Sequence, residues 1–77
     1  MAKIMFDYSK LKGLIKEKCD TQKALSQRVG IVEAALSHKL RGQVYFSQPE
    51  IVKIADALEI PADMLSVYFF TPRVRKV

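Results

Sequence analysis

The chain has 77 residues, 49% of them hydrophobic and 27% charged, with a formal net charge of +5. This composition fits one folded domain with a small core and excludes a disordered segment. No apolar run is long enough to cross a bilayer or to form a secretory signal.

The opening, Lys3 to Tyr8, alternates Ile4, Phe6 and Tyr8, which suits a short strand or an extended arm. Asp7 or Ser9 can cap a first helix running to about Lys18. Its apolar positions Tyr8, Leu11, Leu14, Ile15 and Cys19 fall on one helical stripe, with Lys10, Lys12, Lys16 and Glu17 opposite. Gly13 either weakens this helix or admits a close backbone neighbour. Cys19 is the sole cysteine. It leaves no internal disulfide and no zinc cluster, and reads as a small hydrophobe near a helix end in a cytoplasmic protein.

Thr21 is a good N-cap for a second helix over roughly residues 22–29, with Leu25 and Val29 inward. Gly30 supplies the left-handed residue that ends it. A third helix runs from about Val32 to Leu40. Ala35, Leu36 and Leu40 face in, and Glu33, Ala34, Ser37, His38 and Arg41 face out. Gly42 closes it.

Residues 43–46 form a loop. Ser47, Pro49 and Glu50 then spell a complete helix start, with the serine as N-cap, the proline in the first turn and the glutamate at the capping-box position. Ile51, Ile54, Ala55 and Leu58 are the buried stripe of a fourth helix ending near Glu59. Ile60-Pro61 breaks the chain, and a last short helix, about Ala62 to Val67, buries Met64 and Leu65. The tail 68–77 has no helical pattern, and its Tyr68, Phe69, Phe70, Val74 and Val77 favour strands.

Charge is segregated along this order. Residues 1–20 carry +2, residues 21–43 carry +3, residues 44–72 carry −3 (Lys53 against Glu50, Asp56, Glu59 and Asp63), and residues 73–77 carry +3. A polyanion is drawn to the second and third helices and repelled by the segment after them.

Two short helices hinged at Val29-Gly30-Ile31 form a corner able to present its second member to the DNA major groove. Thr21-Gln22, Val29-Gly30-Ile31, Leu36-Ser37 and the Leu58-Glu59-Ile60-Pro61 break occur here in order. With the opening Phe6-Asp7-Tyr8-Ser9-Lys10-Leu11 and the ending Tyr68-Phe69-Phe70, they make the sequence resemble the lambda-repressor-like helix-turn-helix domains of phage Cro and repressor proteins. More narrowly, it is similar to short Cro-like proteins of phages and prophages of Gram-positive bacteria. The resemblance implies an all-α, compact five-helix domain over residues 1–77, with the helix-turn-helix at 21–41 and room for a short terminal β-ribbon. It also implies a transcriptional regulator, a Cro-like repressor, that binds double-stranded operator DNA as a homodimer. Two positions depart from the pattern. Val32 stands where a capping Ser or Thr is usual, and Lys39 stands where an aliphatic residue is usual, with Leu40 taking its place inside.

On this reading Gln22 and Lys23, at the positive end of the second helix, hold phosphate, as do Arg41, Gln43 and Tyr45 around the third. Glu33 accepts from a cytosine amine, Val32 and Ala34 touch thymine methyls, and Ser37 and His38 reach base edges, with either His38 or Lys39 pointing most directly at the bases. Tyr68, Phe69, Phe70 and Val74 either close the monomer core or make the dimer contact, with the tail paired to residues 2–6 as a ribbon. The alternative is an antitoxin-type or other protein-interaction module on the same fold. No nucleophile–base pair, carboxylate pair, phosphate loop or metal cluster points to an enzyme, and no cofactor or small-molecule ligand is implied. Positive charge is not gathered on one amphipathic helix, which argues against a membrane-surface peptide.

Overall fold

Leu11, Leu25, Leu36, Ile54 and Leu58 are wholly removed from water, and they come from four different helices. In the computed structural model, which describes residues 4–73, these are α1 (Ser9–Cys19), α2 (Gln22–Val29), α3 (Glu33–Leu40) and α4 (Gln48–Leu58). A 3-10 turn (Ala62–Met64) and α5 (Leu65–Phe69) complete the all-α, five-helix architecture. No strand forms among the described residues.

The helix ends follow the local chemistry. Asp7 opens α1 by accepting from the Ser9 amide at 2.8 Å and the Ser9 hydroxyl at 2.5 Å. Thr21 Oγ1 accepts from the Ala24 amide at 3.1 Å and starts α2. Gly30, at φ 73°, returns its amide to the Ser26 carbonyl and turns the chain into α3. Ser47 and Glu50 form a full capping box on α4. The non-glycine residues Asp20 (φ 73°) and Glu59 (φ 57°) also take left-handed conformations just after α1 and α4.

The two chain ends are tied together. The Asp7 amide donates to the Thr71 carbonyl and the Arg73 amide to the Met5 carbonyl, both at 2.7 Å, around an antiparallel bridge between Phe6 and Pro72. Among the described residues the expected ribbon is one bridge within a single chain. Gly42, buried at φ 84°, sits against it, and a β-carbon there would come within 3.1 Å of the end of the Met5 side chain.

The extent of the last helix and the burial of Met64 are corrected, and the alternatives at Phe69 and Gly13 are decided. The last helix extends to Phe69, so Tyr68 and Phe69 are helical. Successive residues on a helix lie about 100° apart, so the three aromatics cannot share a face. Phe69 enters the core at 2% exposure, Tyr68 is half-buried and Phe70 is 49% exposed, which removes Phe69 from any dimer contact and assigns it to core closure. Met64 is exposed, not buried. Gly13 has nothing approaching it, so it admits no neighbouring backbone. Phe46, in the loop before α4, is a core residue with edge contacts to Tyr8 and Phe69. Val74, residues 2–3 and the rest of the tail lie outside the described residues.

Candidate functional site

The α2–turn–α3 pair lies within residues 21–43, which carry +3, and its second helix shows one face to water. Leu36 and Leu40 point into the core. Glu33, Ala34, His38 and Arg41 are exposed, and Ser37 is half-buried, so the outward side of α3 is the one the spacing predicts. Val32 stands before the first turn at 73% exposure and makes no side-chain cap, which leaves the α3 N-terminus open to solvent. Glu33 follows it in the first turn.

The C-terminal half of α3 is cross-linked to itself and its surroundings. Arg41 Nη2 donates to Ser37 Oγ at 2.8 Å. His38 Nδ1 is hydrogen-bonded to Oε1 of Gln43. Lys39 leaves this face: its ammonium meets Glu50 Oε2 at 2.5 Å, with the two side chains 14% and 21% exposed. Between His38 and Lys39, it is therefore His38 that stands on the outward face. Burial works against the Glu50 carboxylate, but hydrogen bonds from Lys39, from the Ser47 amide and from the Ser47 hydroxyl outweigh it and hold its pKa below the usual value.

The remaining candidates are spread out. Gln22, half-buried, and Lys23, exposed, stand in the first turn of α2. Tyr45 belongs to the joined chain ends, where its hydroxyl donates to the Ile4 carbonyl at 2.5 Å. Sequence reading identified Glu50 only as a cap. Its second role, anchoring Lys39, spans 11 residues and leaves no local pattern. Among the described residues no group of His, Cys, Asp and Glu is placed to hold a metal ion, and no helix is long and apolar enough to cross a membrane.

Residues 4–72 match a protein family described as a protein of unknown function, DUF739. The chain belongs to this family. Among solved structures, the DUF739 chain is similar to the modulator of repression (MOR) of the temperate bacteriophage TP901-1 from Lactococcus lactis. The two share 37% identity at a TM-score of 0.76, over 92% of this chain and 96% of that one. No curated protein sequence matches it.

Proposed function

We propose that this DUF739 protein is a phage-type regulator that modulates repression by contacting another protein, a DNA-binding repressor, through the exposed face of α3. Near-complete coverage by a modulator of repression at 37% identity supports a shared regulatory role. The observation that carries the mode of action is the composition of the α3 face. Its cationic and donor groups are engaged at home: Lys39 on Glu50, Arg41 on Ser37, His38 on Gln43. What its first turn offers outward is Val32, Glu33 and Ala34. An exposed valine and alanine around a carboxylate suit an apolar protein surface carrying Lys or Arg, and repel a phosphate backbone. Residues 1–77 act as one unit in the cytoplasm, with no catalytic step and no cofactor.

A second reading is sequence-specific binding of operator DNA as a homodimer. It is favoured by the +3 charge of residues 21–43 and by Gln22 and Lys23 at the Thr21-capped start of α2. Ser37, His38, Arg41 and Gln43 then lie along the groove.

The test is a reporter silenced by the repressor of the same genome, read with and without this chain, beside binding of the chain alone to duplex DNA. Altered reporter output with no DNA binding by the chain alone supports the protein-contact reading. Unchanged output overturns it. Tight, steeply salt-dependent binding of DNA by the chain alone selects the second reading.

A further inference from the structure

Gly42 bends the chain back over the end of α3. It sits at φ 84°, and its amide donates to the Lys39 carbonyl while the Gln43 amide donates to the His38 carbonyl, both at 3.0 Å. This is the glycine-closed helix end in which the second residue past the cap returns to the last turn. It sets Gln43 beside His38, and the side chains meet as well: His38 Nδ1 is hydrogen-bonded to Gln43 Oε1.

An amide oxygen accepts and cannot donate, so Nδ1 is the nitrogen that carries the proton. In a neutral imidazole one nitrogen donates and the other accepts, and the bond made by one fixes the role of the other. Nε2 is therefore left with a lone pair and no hydrogen. The residue is exposed, and Nε2 has no hydrogen-bond partner among the described residues. Neighbouring donors turn elsewhere, Lys39 to Glu50 and Arg41 Nη2 to Ser37. Glu33, in the first turn of α3, is an acceptor too. It lies about 7.5 Å back along the helix axis at the ordinary rise per residue. The helix thus offers a carboxylate near its start and an aromatic lone pair near its end.

We infer that Gln43 is a positioning residue that locks His38 in its Nδ1–H form, and that Nε2 accepts an N–H from a basic side chain of the partner protein. This rests on the protein-contact reading of α3 and names the partner chemistry at one position. A basic side chain there also answers the Glu33 carboxylate. A partner acceptor set opposite Nε2 would face a lone pair, lose its own hydrogen bond and be rejected.

Two measurements on the full chain test it, with circular dichroism to check the fold of each variant. The first is ring-nitrogen NMR of His38, the sole histidine, at a pH where the ring is neutral. Wild type is expected to show Nδ1 protonated and Nε2 bare. Gln43→Ala keeps the backbone bond to the His38 carbonyl but is expected to release the ring to the other tautomer. The second is affinity for the repressor of the same genome. Gln43→Ala and His38→Asn are each expected to weaken it by about fivefold or more. The asparagine can still donate to Gln43, but it has no atom in the place of Nε2. His38→Gln, whose amide oxygen reaches that place, is expected to restore most of the affinity.

A protonated Nε2 in the neutral wild-type ring overturns the inference. So does repressor binding that Gln43→Ala and His38→Asn leave unchanged, or that His38→Gln lowers as far as His38→Asn does; in these cases the protein-contact reading stands. A wild-type chain that does not bind the repressor overturns both. Variants that change base preference on duplex DNA with repressor affinity unaltered give the acceptor to the second reading and equally overturn the inference.

Discussion

Lys39 of α3 and Glu50 of α4 form a half-buried ion pair at 2.5 Å, and the same carboxylate accepts the Ser47 amide through its other oxygen at 2.8 Å. One side chain thus starts α4 and anchors the last turn of α3. Replacing Glu50 with alanine strands the Lys39 ammonium and opens the capping box together. A loss of about 1–3 kcal/mol in unfolding free energy is expected by urea denaturation. Glu50→Gln should cost less, because its side-chain oxygen still accepts from Ser47.

The pH dependence follows from the same pair. The Glu50 pKa is lowered in the folded chain, with hydrogen bonds from Lys39 and Ser47 outweighing the opposing effect of burial. The unfolded chain therefore takes up a proton first as pH falls. The stability this group contributes is complete above the ordinary glutamate range, about 4.3, and is lost as pH drops through the lower folded value. Melting temperature against pH is expected to fall on the acid side for the wild type, and less steeply for Glu50→Gln.

The terminal aromatics separate core from surface. Phe69→Ala removes a ring that is 2% exposed, and a cost of about 3–5 kcal/mol is expected. Phe70→Ala, one residue on and 49% exposed, should fall within about 1 kcal/mol of the wild type in the same denaturation series. Equal losses would contradict the arrangement of α5.

Much of the fold is legible in the residues because its signals are local. Thr21, Gly30 and the Ser47–Glu50 box each fix a helix end within four residues, and Leu25, Val29, Leu36 and Leu40 report their faces by period alone. What the sequence hides is tertiary. Three aromatics in a row give no period, so the extension of α5 through Phe69 depends on the core that receives it. Phe46 lies in a loop and is buried by Tyr8 and Phe69 from distant elements. The outward face of α3 is readable from spacing, but the engagement of Lys39 is not, because its partner lies on the next helix.

The two left-handed glycines differ in surroundings. Gly30 (φ 73°) has open space around it, and Gly42 (φ 84°) lies against Met5. Alanine at Gly30 should cost about 1–2 kcal/mol from backbone conformation alone. Gly42→Ala should cost that much or more and also loosen the pairing of residues 5–7 with 71–73, read as faster amide exchange at Asp7 and Arg73.

Glu33 discriminates the two modes of action because its charge favours a basic protein surface and opposes the phosphate backbone of any duplex. The decisive measurement is the affinity of Glu33→Lys and wild-type chains for the repressor of the same genome, and for duplex DNA, at one fixed salt concentration. Contact with a basic protein surface requires the substitution to weaken repressor binding, by about tenfold, with no gain of repressor affinity. Undiminished repressor binding together with tighter DNA binding would contradict the protein-contact account.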